Sequence, residues 1–99
     1  MSWQKQAWAT VPVEQVGPSV SRQFITGKQV MIAQFHLAAG CVVPKHHHPS
    51  EQITYIVRGA LRFWLGEGVD SELEEDSVLV SSGELLVVPA NETCVRRVI

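Results

Sequence analysis

GCVVPKHHHPSEQITYIVRG, residues 40–59, sets three adjacent histidines and a Pro-Ser pair ahead of an alternating apolar run, with a glycine at each end. His46 and His48 are two positions apart, so on an extended chain their rings project to the same side while His47 points away. Two convergent imidazoles are a candidate metal grip; the other reading is a histidine-rich polar turn with no metal. A grip needs a third and usually a fourth donor from elsewhere in the fold, because one strand cannot wrap an ion. Pro49-Ser50 predicts a turn into a new strand. Along that strand Glu51, Ile53, Tyr55 and Val57 share one face and Gln52, Thr54, Ile56 and Arg58 the other. The second, mixed face suits a cavity with a wet mouth.

Outward from this stretch the chain reads as strands almost throughout. Val20 to Thr26 and Gln29 to Leu37 flank Gly27-Lys28 and predict a hairpin, since glycine permits the positive φ of a tight turn. Further extended runs are expected at Cys41 to Val43, Gln52 to Val57, Ala60 to Leu65, Ser77 to Ser81, Leu85 to Val88 and Thr93 to Ile99, separated by Pro, Gly, Asn and Ser. Such spacing favours an antiparallel all-β sandwich or barrel. Between 29 and 37, Met31, Ala33, Phe35 and Leu37 form an apolar face expected to pack on a core. His36, on the other face, reads as a polar residue near a strand end. The run GEGVDSELEEDS, 66–77, concentrates six carboxylates and reads as a solvated loop without the spaced oxygen ligands of a calcium site.

The bulk properties narrow the partners. Ninety-nine residues suit one domain, 1–99, with residues 1–12 and their Trp3 and Trp8 as an arm that covers a sheet edge or reaches a second subunit. A net charge of −2 offers no basic face for nucleic acid. No apolar run approaches the roughly 20 residues of a membrane-spanning helix, and the start lacks a leader pattern. The two cysteines, Cys41 and Cys94, are too few for a disulfide framework and suit a reducing compartment, so a cytoplasmic protein is expected.

The stretch from Gly40 to Gly59 resembles the first signature of the cupins: glycine, five residues to His-x-His, an acid six residues before a closing glycine. Gly40, His46, His48 and Gly59 match, and Gln52 stands where the acid is usual. Glutamine occurs there in small single-domain cupins, including those that process unsaturated uronates from pectin breakdown. GELLVVPANETC resembles the second signature through Gly83, Pro89 and Asn91, with Cys94 in place of its terminal histidine. The resemblance covers residues 40–94 and implies a cupin jelly-roll β-barrel. It also implies one divalent transition metal (nickel, zinc, iron or manganese) held by His46, His48 and Gln52, with Cys94 either a fourth ligand or a buried thiol left after ligand loss. Gln52 is likewise either a ligand or a hydrogen-bonding support.

Two imidazoles and an amide, all neutral, would leave the ion its full charge and favour anionic oxygen ligands. Such an ion polarises a carbonyl or stabilises an enolate, the step shared by keto–enol isomerisation and ring opening of a sugar acid. The function expected is therefore isomerase or lyase chemistry on a small anionic sugar-derived substrate. The alternatives are a non-catalytic small-ligand binding or sensing cupin and an iron-dependent dioxygenase. Arg58 and Arg62 read as surface residues. Cupins commonly continue for one or two strands beyond the second signature, whereas this sequence ends five residues after Cys94. A homodimer covering the open edge is the expectation.

Overall fold

A computed structural model describes residues 3–99, and among them strands dominate, with helix confined to single 3-10 turns. No helix among the described residues is long and apolar enough to cross a membrane. The chain divides into two compact units, one ending at Ala38 and one spanning Ala39–Ile99.

The first unit is a three-stranded antiparallel sheet of β1 (Glu14–Gly17), β2 (Val20–Thr26) and β3 (Met31–Leu37) in that order. β2 and β3 form the expected hairpin, in register from Val20 opposite Leu37 to Thr26 opposite Met31. Its turn is not the tight, glycine-dependent one expected. Gly27 lies outside the left-handed region, and the turn runs over four residues, closed by Gly27 N–H donating to Val30 O at 2.7 Å. The expected burial of one β3 face is also overturned: Met31 is 61% and Phe35 49% exposed, next to an exposed Phe24 on β2. What this unit buries instead is the opposite side of β2. There Gln23 donates to the carbonyls of Trp8 and Val11, both at 2.8 Å, which ties the amino-terminal segment to β2. Within the segment expected as an arm, residues 1 and 2 lie outside the described residues.

The second unit holds two antiparallel sheets. One is ordered β4 (Val42–His46), β9 (Cys94–Val98), β6 (Ala60–Leu65), β7 (Val78–Ser81); the other pairs β5 (Gln52–Tyr55) with β8 (Leu85–Val88). Ile56, Phe63, Val80 and Cys94 pack as one buried cluster, with Leu61, Leu65 and Leu86 against it, so both sheets turn an apolar face to one core. Phe63 has no solvent-accessible surface at all. Alternation does the rest: Ile53, Tyr55, Leu85 and Val87 are paired across β5 and β8 on the side away from that core, and all four are exposed.

Turn chemistry explains the residues that break the strands. Gly59 at φ 87° and Gly83 at φ 85° occupy the left-handed region that a side chain enters only at a cost of roughly 1–2 kcal/mol. Asn91, at φ 63°, is the one non-glycine residue among those described to do so, and asparagine tolerates it best. The acidic run forms 3-10 turns at Gly66–Asp70 and Glu74–Asp76, and its carboxylates are largely exposed.

Candidate metal and anion site

The histidine pair belongs to the second unit, and β4 aims it. In the ladder with β9, Val43 faces Arg96 and His46 faces Cys94, three steps on one strand against two on the other. The extra residue is a β-bulge at Pro44-Lys45. Without it, residues 43 and 46 would look to opposite sides; with it, both share the core-facing side. Proline suits this position because a bulge leaves one ladder donor unused.

The rings of His46 and His48 stand 5.0 Å apart between centroids, tilted by 55°. His46 Nδ1 lies 3.0 Å from the carbonyl of Pro44, inside the bulge, and Arg96 Nη2 lies 3.4 Å from His46 Nε2. A carbonyl can only accept and a guanidinium can only donate. The two contacts together therefore fix the Nδ1–H tautomer and turn the Nε2 lone pair toward Arg96, which occupies it. The bond to Pro44 is how a ligating histidine is oriented. The backbone of His48 is held in turn by Asn91 N–H donating to its carbonyl at 2.7 Å, so the second signature's left-handed residue supports the first signature's ring.

Half-burial holds the His48 imidazole below its ordinary pKa of 6.5, with His46, Arg96 and His47 adding repulsion in that order. Its neutral form, the form that binds metal, is favoured. Gln52 sits on the core-facing side of β5 opposite Val88, and its amide nitrogen donates to Thr54 Oγ1 at 2.9 Å. That bond fixes which end of the amide is free: Oε1 remains an acceptor. Cys94 is buried, 3% exposed, and paired with His46 on one side and Leu65 on the other. Burial raises its thiol pKa, with Arg96 opposing and Glu92 reinforcing the shift, so the sulfur is a protonated, apolar-side group as it stands. Among the described residues, no three His, Cys, Asp or Glu side chains gather closely enough to hold an ion. A metal here would rest on His46 and His48 with the Gln52 amide as third donor. The imidazole pair suits a divalent transition ion. Arg96 does not, because a metal and its guanidinium need the same Nε2 lone pair.

Arg96 is the residue that reading the sequence missed. The signal was available: Cys94, Arg96 and Val98 alternate on one face of β9, so a core-facing Cys94 carries Arg96 inward with it. Burial lowers the pKa of Arg96, which stays charged nonetheless, and its Nε is buried with no hydrogen-bond partner. Arg62 and Arg97 face each other on the outer side, where Arg62 donates to Ser77 Oγ at 3.1 Å and Arg97 lies 5.1 Å above the Trp64 ring. Arg58 is exposed beyond the end of β5, and His36 is exposed in the first unit. A shallow hollow lined by Lys45, Trp64, Asp70 and Arg97 also lies on that outer side, spanned by a 2.8 Å Lys45–Asp70 ion pair; it shares no ligand with the histidine pair.

No curated protein matches the chain. Among solved structures, KdgF from Halomonas sp. superposes with a TM-score of 0.82 at 21% identity, covering 99% of this chain and 84% of that one. An RmlC-like cupin from Shewanella frigidimarina NCIMB 400 gives 0.81 at 18% identity, covering 98% and 81%. At such identities the likeness speaks for the fold, which is the all-β antiparallel one expected. The family profile for the cupin domain matches residues 33–94, well over half the sequence and inclusive of both signatures, and the chain therefore belongs to the cupin family.

Proposed function

We propose that this cupin binds one divalent transition metal through His46, His48 and Gln52 and acts as a small isomerase or lyase on an anionic, sugar-derived substrate. The observation that carries the reading is the His46–His48 pair, 5.0 Å between ring centres, with the Nε2 lone pair of His46 aimed by its bond to Pro44. When bound, the metal supplies Lewis acidity toward a carbonyl oxygen. The chain's own residues do the rest. His46 is locked in the tautomer that presents Nε2, and His48 is kept neutral by half-burial. Gln52 is oriented by Thr54, while Ile56, Phe63 and Val80 keep water from beneath the site. The resemblance to uronate-processing cupins supports the substrate class.

A second reading, a non-catalytic cupin that binds or senses a small anion, draws on a different observation: the Arg96 guanidinium rests against the lone pair a metal would use, and Cys94 stands where the family carries histidine. Elemental analysis of purified protein decides between them. Near-stoichiometric metal, lost in His46→Ala and in His48→Ala, supports the metalloenzyme; metal-free protein that binds a sugar acid supports the second reading. An activity screen over unsaturated uronates and diketones, with oxygen consumption followed, then separates isomerase from dioxygenase.

We further propose one functional domain over 1–99, supported by a family match that runs through the junction at Ala38–Ala39. The proposed oligomer is a homodimer, supported by the exposed apolar quartet Ile53, Tyr55, Leu85 and Val87. A cytoplasmic setting is supported by two free, buried thiols.

A further inference from the structure

We propose that Arg96 is the carboxylate-binding residue of the histidine site, exchanging its contact with His46 for the ligand's anionic group. The inference rests on the anionic-substrate reading above and adds the side chain that recognises the charge.

Position comes first. In the β4–β9–β6 ladders Arg96 is paired with Val43 and Phe63, and Phe63 is the most deeply buried residue of the core. Paired residues share a face, so the guanidinium projects to the side that carries His46 and Cys94. Charge comes next. Among the described residues the ion pairs are Arg22–Glu14 and Lys45–Asp70, and neither involves Arg96. Its hydrogen bonding amounts to the 3.4 Å contact with His46 Nε2, while Nε is buried and unpartnered. A half-buried cation with one long, neutral partner is an expensive arrangement, because desolvation is offset by neither a counter-charge nor a full set of acceptors. Guanidinium presents its donors as a planar fork that matches a carboxylate at two points. An incoming carboxylate would satisfy the unpartnered Nε and neutralise the charge. It would also draw Nη2 away from His46, which frees the Nε2 lone pair that a metal requires. One side chain thus couples anion capture to metal access.

The test uses full-length protein, D-galacturonate, and D-galactose, its counterpart lacking the carboxylate, with zinc as the metal probe. Calorimetry on the wild type is expected to show galacturonate binding and galactose at least tenfold weaker. Arg96→Gln is expected to weaken galacturonate about ten- to hundredfold, the loss of one charge-assisted bond, and Arg96→Lys to recover part of it. Zinc affinity of Arg96→Gln is expected to hold or rise, since its competitor for His46 is gone. A merely structural role for Arg96 would lower both. In wild-type protein, where folding of a variant is not at issue, the guanidinium Nε–H resonance of Arg96 is expected to shift with galacturonate and not with galactose. Unchanged galacturonate affinity in Arg96→Gln, or an unmoved Arg96 resonance at saturation, overturns the inference and leaves the metal reading standing. Wild-type protein that takes up neither zinc nor galacturonate overturns both.

Discussion

Replacing Phe63 by alanine tests whether the core beneath the histidine site is the one described. The ring is wholly excluded from solvent and packs with Ile56, Val80 and Cys94 between two sheets, with Leu61, Leu65 and Leu86 closing the sides. It is flanked on β6 by partners on both neighbouring strands, Val78 and Arg96, whose backbones are held in ladders and cannot collapse into the space left behind. Truncations of this kind cost about 3–5 kcal/mol, and a rigid surround argues for the upper half of that range. Against a domain stability of about 5–15 kcal/mol the loss is about a quarter or more. With a urea slope of about 2 kcal/mol/M, a 4 kcal/mol loss moves the unfolding midpoint by about 2 M. Equilibrium urea unfolding followed by tryptophan fluorescence reads this directly, because buried Trp64 neighbours Phe63 on β6. The internal control is Leu73→Ala, in an exposed turn, expected to change stability by no more than about 0.5 kcal/mol. A Phe63→Ala loss below about 1.5 kcal/mol would mean that the two sheets do not share this core, and the site's geometry would go with it.

His48 gives a pH signature. Its folded-state pKa lies below 6.5, so between that depressed value and 6.5 the unfolded chain binds more protons than the folded one, and stability rises with pH across that window and levels off above it. Urea unfolding in a pH series should show that slope, and His48→Gln should flatten it; an imidazole proton titration of His48 at or above 6.5 would contradict the half-buried placement. Leu85→Glu puts a charge in the exposed apolar quartet without touching the core. Light scattering on the eluting peak is expected to report two protomers for the wild type and one for the variant, and a monomeric wild type sinks the dimer.

Legibility differed between residues for identifiable reasons. The β2–β3 pairing, the exact span of β6 and β8, and the closeness of the His46 and His48 rings follow from period-two alternation and from where turn residues interrupt it, which are local, although the hairpin's turn is not made by a left-handed Gly27. The grouping of Gln52 with Thr54 and Ile56 on one side of their strand was legible in the same way, although the more uniformly apolar side, that of Ile53 and Tyr55, is the exposed one. The short β1 strand was not anticipated, since Glu14–Gly17 has no apolar alternation and owes its pairing to β2, including the Arg22–Glu14 bridge at 3.1 Å. The expected burial of Met31 and Phe35 failed for a related reason. Alternation identifies an apolar face but says nothing about whether a partner covers it.

What the sequence by itself determined is therefore the strands from β2 onward, the family, and the grouping of residues onto common faces, because backbone pleat and signature spacing act over a few positions. Tertiary structure alone decided that a bulge at Pro44-Lys45 turns His46 to the core side. It also decided that Cys94 is buried beside His46, and that the charge of Arg96 ends on the Nε2 lone pair of a residue fifty positions away. Those outcomes depend on the register between β4 and β9, which is set by the packing of all four strands of the sheet and is written in no single segment of the chain.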